Sequence, residues 1–221
     1  MSSRYRDIPI LLYHEVGTGV WSITPKKFAQ KMAQLSSAGY KTISMSELWQ
    51  GIKEDKTTDQ KLVVITFDDG REGVCINALP ILAQHGFTAT LYIITERVGT
   101  SLADWKGMRP IDSRVIESDY YATWKQLGDS LVAGHELGSH THQHLPLAKL
   151  SDAEIEDQIS TAKEVFRQEL DHDARHFAYP FGSVNTTAAD LVGRYHLTGV
   201  TTVPNYGGLS RLGRFDGEHF V

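Results

Sequence analysis

With 221 residues, 41% of them hydrophobic and 22% charged, the chain is long enough to bury a large core without a disulfide or structural metal. A formal net charge of -5 argues against a dedicated nucleic-acid binder, which carries a basic face. The lone Cys75 excludes an internal disulfide and a cysteine-built zinc centre, and it reads as a small packed residue early in a helix.

The opening stretch, "MSSRYRDIPILLYHEV", has two arginines and a short apolar run interrupted by Pro9. That run is too brief for a signal-peptide core and far too brief for a membrane span. The expectation is a cytoplasmic protein, or an exported one whose leader has been removed. No repeat, low-complexity tract or Pro/Gly/Ser linker divides the sequence, so residues 1–221 read as one domain.

Seven apolar runs rich in β-branched and aromatic residues read as strands: 8–13, 41–45, 62–67, 88–94, 135–139, 175–179 and 197–203. Helical patterns lie between them. Thr24 caps the first, with Pro25 at its first position and Gly39 just past its end. Ser151 and Glu154 form a capping box on a later one, where Ile155, Ile159, Ala162 and Phe166 keep a helical stripe. Strands alternating with helices imply a parallel sheet with crossovers, and about seven such units suggest a barrel or a strongly curved open sheet. The stretch from about 95 to 121 reads as an inserted loop with a short helix near the site. In such folds the chemistry collects where strands end, so the residues after each strand are taken together.

After "LVVITF" comes "DDG", Asp68 to Gly70. Two adjacent carboxylates at the end of a buried strand repel each other and lose water unless a cation neutralises them. The alternative is that one caps the next helix while its neighbour is solvated. The segment "GHELGSHTHQH", 134–144, holds four of the ten histidines. His140 directly follows a strand, and His144 sits four residues on; in a helical turn the two imidazoles would share a side. His142 would face elsewhere, and His135 would sit at the opposite end of the strand. Two exposed histidines would read the same way, but Asp69 completes a two-histidine, one-carboxylate set suited to a hydrolytic zinc site. Asp68 then stays free beside the bound water as a general base. In "RHFAYPFG", the rigid loop around Pro180 offers the Phe181 backbone N–H as an oxyanion donor; the alternative is a turn with two packed aromatics.

Together these blocks resemble the polysaccharide deacetylase family, the NodB-homology or carbohydrate esterase family 4 group. "TFDDG" matches its first motif and "HTHQH" its His-[Ser/Thr]-x-x-His motif, while "FAYPFG" is similar to its third. "IPILLYHEV" and "TPKKFAQKMAQLSSAGYKTISMSEL" are similar to openings in one branch, so the resemblance runs along nearly the whole chain. It implies a distorted (β/α)7 barrel and metal-dependent removal of acetyl groups from N-acetylated sugars. It also implies Asp68 as base, Asp69, His140 and His144 as ligands of zinc or of cobalt or another divalent ion, and the Phe181 amide in the oxyanion hole. The expected partner is a glycan, with neither nucleic acid nor a transmembrane segment involved.

Two family features are not in their usual places. The third motif commonly has an arginine, which pairs with the catalytic aspartate, where this chain has Ala178, leaving Arg175 as the nearby candidate to substitute. The late Leu-x-His tripeptide that supplies the general acid is absent; His14, after the first strand, is the candidate in its stead, and a structural histidine is the alternative. Tyr179, Pro180, Phe181 and Trp105 are candidates for contact with sugar rings, whereas Trp124 reads as core. Two other functions stay in view: a superfamily hydrolase opening a small cyclic amide or ureide, and a degenerate carbohydrate-binding barrel.

Overall fold

The computed structural model describes residues 3–18, 21–100, 120–204 and 207–220. All seven expected strands form: β1 (Ile10–Tyr13), β2 (Tyr40–Thr42), β3 (Lys61–Phe67), β4 (Thr90–Ile93), β5 (Glu136–Ser139), β6 (His176–Ala178) and β7 (Thr198–Val200). An eighth, β8 (Phe215–Asp216), is too short to show as a hydrophobic run. The main sheet is ordered β7-β6-β5-β4-β3-β1-β8, with β2 beside the first half of β3, and every pairing in it is parallel.

The sheet curls into a distorted barrel, and the C-terminal segment spans its two edges. Leu212 bridges Val200 of β7 in parallel, and three residues later Phe215 pairs with Leu11 of β1. Hydrogen bonds from Leu212 N–H to Gly199 (2.7 Å) and from Thr201 N–H to Leu212 (2.8 Å) fix the first of these contacts.

Period-two alternation in the strands sorts side chains between two cores. Val63, Ile65 and Phe67 of β3 face outward with Phe28, Met32 and Leu35 of helix α1 (Pro25–Ser37). Leu62 and Val64 belong to a second cluster with Ile10, Tyr92, Ala178 and Val200. Tyr92 fills that space so closely that a Cβ at Gly138 on the neighbouring strand would lie 2.5 Å from its ring, so β5 needs a glycine there.

The helices follow their sequence signals. Thr24 caps α1 through the Lys27 N–H, and Gly39 adopts φ 82° beyond its end. Helices α2 (Met45–Lys53), α3 (Leu79–Ala83) and α4 (Trp124–Val132) follow. The Ser151–Glu154 capping box opens α5 (Asp152–Leu170), and α6 (Thr186–Tyr195) is the last. Cys75 sits part-buried in a π-helical turn over Val74–Ala78, and Trp124 packs edge-on against Phe166 at 5.7 Å. Among the described residues no helix is long and apolar enough to cross a membrane. Of the expected inserted loop over about 95–121, Thr95–Arg97 forms a single 3-10 turn, and residues 101–119, with Trp105, lie outside the described residues.

Candidate active site

The site lies at the C-terminal ends of the strands, where a cavity of about 600 Å³ is lined by His14, Asp68, Asp69, His140, His144 and Phe181 among others. Asp68 follows Thr66 in the strand alternation and is carried into the barrel, with 2% of its surface exposed. The chain then reverses through two consecutive left-handed residues, Asp69 (φ 72°) and Gly70 (φ 73°). This turn separates the two carboxylates, leaving Asp69 in the cavity and Asp68 beneath it. Glycine takes such a conformation freely; for aspartate it is a strained choice that the site maintains.

His140 and His144 are not on the expected helical turn. Their connection is a loop with left-handed Thr141 (φ 68°) and His144 (φ 63°), pinned where the His144 N–H donates to Thr141 Oγ1 at 2.8 Å. The loop still brings both imidazoles to one point. Asp69 Oδ1 is 3.5 Å from His140 Nε2 and 3.4 Å from His144 Nε2, and the two Nε2 atoms are 3.2 Å apart. His142 turns away to Thr95, Nδ1 to Oγ1 2.9 Å, and His135 precedes β5 and accepts the Ala89 N–H.

These distances suit a divalent cation. Donors about 2.1 Å from a tetrahedral ion lie roughly 3.4 Å from one another, which is the spacing seen here. His140 Nδ1 donates to the Ala178 carbonyl at 2.8 Å, so its Nε2 lone pair is directed at the shared point, an outer contact of the kind that orients metal-binding imidazoles. The electrostatics agree. Burial, then the neighbouring His140, pushes the His144 pKa down to about 3 and keeps that ring neutral. Burial would lower His140 as well, but Asp68 and Asp69 outweigh it and raise its pKa. Asp69 is held far below the usual carboxylate range, its burial overcome by the two imidazoles. The pocket thus calls for positive charge at the point where the three donors meet.

A cation of the protein's own sits beside this point. Arg214, with no exposed surface, donates from both terminal nitrogens to the two Asp68 carboxylate oxygens, each at 2.6 Å. Its Nε donates to the Thr201 carbonyl at 2.7 Å, and the guanidinium lies 5.7 Å from the Tyr92 ring centre. Burial would raise the Asp68 pKa, but Arg214 and then His140 outweigh it and keep the carboxylate ionised. Arg214 therefore occupies the role for which Arg175 was the sequence candidate. Arg175 is exposed on a different cavity, lined by His135 and His176 at the opposite strand ends.

The remaining candidates separate. His14 follows β1 and lines the cavity. Phe181, left-handed at φ 58° and 66% exposed, lies 4.5 Å ring to ring from His144. Tyr179 must be corrected: it is fully buried, its hydroxyl donates to the Ser210 carbonyl, and no ring face is left for a sugar. Pro180 is likewise buried. Sequence reasoning missed Arg214 and also Trp21, an exposed residue of the cavity wall. A charge balance could have found the former, since a single metal ion at Asp69 would leave the charge of the adjacent, buried Asp68 unanswered.

A family model described as polysaccharide deacetylase matches residues 55–200. YxkH of Bacillus subtilis is 29% identical over 201 residues, covering 89% of this chain and 65% of its own length. The peptidoglycan-N-acetylglucosamine deacetylase PgdA of Listeria monocytogenes is 28% identical over 171 residues, 76% of this chain and 32% of that protein. The chain thus spans less than two thirds of the length of these curated relatives. Among solved structures, the deacetylase PplD of Streptococcus pyogenes superposes with a TM-score of 0.79 at 24% identity, over 95% of this chain and 91% of that one. IcaB of Ammonifex degensii gives 0.78 at 21% over the same shares. At these identities the structural likeness establishes the fold, a NodB-like curled parallel barrel.

Proposed function

The chain belongs to the polysaccharide deacetylase family, and from that premise we propose that it is a metal-dependent hydrolase removing N-acetyl groups from a glycan containing N-acetylglucosamine. The observation that carries the reading is the convergence of Asp69, His140 and His144 within 3.5 Å of one another, beside an ionised Asp68 that does not join them. A binding module has no use for that spare carboxylate, and Arg214 removes one of the two reasons, the missing arginine, for regarding the barrel as degenerate. Relatives named for deacetylating N-acetylglucosamine polymers, PgdA among them, support the choice of substrate.

Asp69, His140 and His144 would hold the cation, most suitably zinc given two imidazoles and one carboxylate. When bound, it supplies Lewis acidity toward the acetyl carbonyl and toward water. Asp68 accepts the proton from the attacking water. Arg214 occupies one side of each Asp68 oxygen, and the remaining lone pairs are available toward the cleft. Arg214 thereby fixes the rotamer of the base and keeps it ionised. The Phe181 backbone N–H steadies the oxyanion as the carbonyl becomes tetrahedral. His14, at the end of β1 in the same cavity, gives a proton to the departing amine.

Metal analysis with acetate-release assays tests this on two variants. Asp69→Ala loses metal and activity together. Asp68→Asn keeps its metal, which also reports that it is folded, and loses about 10²–10⁴ of its turnover. Undiminished acetate release by Asp68→Asn would overturn the assignment.

A further inference from the structure

Besides its polar centre, the cavity has one wall that the mechanism does not use. Trp21 follows the described segment 3–18 and immediately precedes Ser22, which pairs in parallel with Glu15. It has φ 58°, a conformation rare for a bulky residue and costing on the order of 1–3 kcal/mol. In that conformation its indole is 72% exposed, lines the cavity and stands 6.2 Å from the His14 ring at 42°. An exposed tryptophan in strained backbone gains nothing from the core, so burial does not account for its placement.

Phe181 repeats the pattern on the other flank, exposed and left-handed beside His144. Two aromatic faces thus flank the reacting centre, one on the β1 side and one on the β6 side. The cavity volume falls within the roughly 300–1,000 Å³ usual for ligand sites. Of the acids that line it, Asp68 is paired with Arg214, Glu15 lies 3.4 Å from Arg71 and Asp69 belongs to the cation site, which leaves Asp216 and Glu218; among the described residues no lysine or arginine lines it. Such a lining disfavours a carboxylate-bearing occupant. An uncharged ring with an apolar C–H face and polar edges suits both features.

We propose that Trp21 is the platform of a second sugar subsite, on which an uncharged N-acetylhexosamine next to the reacting residue lays its C–H face. The inference rests on the deacetylase reading and adds a length requirement to it. The enzyme acts on chains rather than single sugars, and Trp21 is a binding residue whose contribution lies in KM.

The test measures acetate release from β-1,4- and β-1,6-linked N-acetylglucosamine oligomers of one to five units, with a small aryl acetate as control. Wild type gains in kcat/KM with length. Trp21→Ala loses about five- to tenfold of kcat/KM on the longer oligomers, the scale of one aromatic stacking contact. That loss lies in KM and grows with oligomer length, and it is smallest on the monosaccharide and the aryl ester. Trp21→Phe restores most of it. An unaltered length dependence in Trp21→Ala, or an equal loss on the ester, would overturn the proposal.

Fluorescence titration of metal-loaded Asp68→Asn protein with the pentamers separates this inference from the one beneath it. An indole shift that disappears when Trp21→Phe is added supports the subsite even if wild type releases no acetate, in which case the deacetylase reading alone falls. Identical titrations with and without Trp21 sink the subsite whatever the activity.

Discussion

At the C-terminal ends of the strands, His140, His144 and Asp69 direct their polar atoms at one another within 3.5 Å. The N-terminal ends hold the same residue types in a different state. Thr90, Glu136, His176 and Thr198 are the first residues of four adjacent strands, and Ser46 of α2 covers them. His176 Nδ1 is 2.8 Å from Thr198 Oγ1 and its Nε2 is 2.9 Å from Ser46 Oγ. Glu136 accepts from the Ser46 hydroxyl, the Ser46 N–H and the Thr90 hydroxyl. Serine, histidine and glutamate meet here, yet the carboxylate bonds the serine rather than the far nitrogen of the histidine, so this is no catalytic relay. Histidine and carboxylate content does not distinguish the two ends; partnership does. Where each polar atom has a protein partner the cluster closes the barrel, and where donors converge on one another it awaits a ligand.

The comparison is broken most severely by removing the cation that links the site to the barrel interior. Arg214→Ala leaves Asp68 buried and unpaired, which costs about 3–5 kcal/mol. Thermal unfolding should show it, and turnover of any folded fraction should fall by about a hundredfold or more as the base loses its orientation and its guaranteed charge. Combining Arg214→Met with Asp68→Asn removes both charges and should recover much of the stability without recovering activity. A stable, fully active Arg214→Ala protein would show that Asp68 needs no internal counter-ion.

Changes at the opposite end should affect stability alone. His176→Ala removes one partner each from Ser46 and Thr198 in a buried layer, costing about 1–3 kcal/mol. Ser46→Ala costs similarly, and the pair should be non-additive because they share one network. Metal content and kcat should match wild type in both. Loss of metal from His176→Ala would mean that the two clusters communicate through β6, whose Ala178 carbonyl receives His140.

How much of this was visible in the sequence follows from how each feature is encoded. The seven main strands and the capped helices announce themselves, because burial on a two-residue or 3.6-residue period requires apolar residues at fixed intervals. Asp69, His140 and His144 were readable because each directly follows or lies near a strand end. Arg214 was not. It precedes a two-residue strand and acts on a carboxylate 146 positions earlier, a link that only the closing of the barrel creates. Trp21 and Tyr179 failed in opposite directions, one an apolar ring held out in the cavity and the other a ring drawn wholly into the core. Aromatic type alone cannot separate them, since the difference lies in a single φ angle and in a hydroxyl that found Ser210. The two histidines meet through left-handed loop residues instead of a helical turn, so their spacing picked out two rings that converge but not the backbone that brings them together.

The smallest expected effect sharpens the contrast through pH. Burial raises the Glu136 pKa, but the hydrogen bonds and charge of His176, then Ser46 and Thr90, outweigh it and bring the group to about 2, against an ordinary 4.5. A carboxyl depressed in the folded state contributes stability that is present above the unfolded pKa and lost as pH falls toward the folded one. Its window is therefore about pH 4.5 down to 2. With the side chain 15% exposed and its shift discounted for solvent screening, the contribution is on the order of 2 kcal/mol. Glu136→Gln keeps the shape of the layer and removes the titration. The stability difference between wild type and this variant, followed by denaturant unfolding, should be constant above about pH 5.5 and shrink steadily below 4.5. Titrations of groups remote from this layer cancel in that difference, so a gap that stays constant from pH 4.5 to pH 3 would mean that Glu136 is not held ionised by the layer around it.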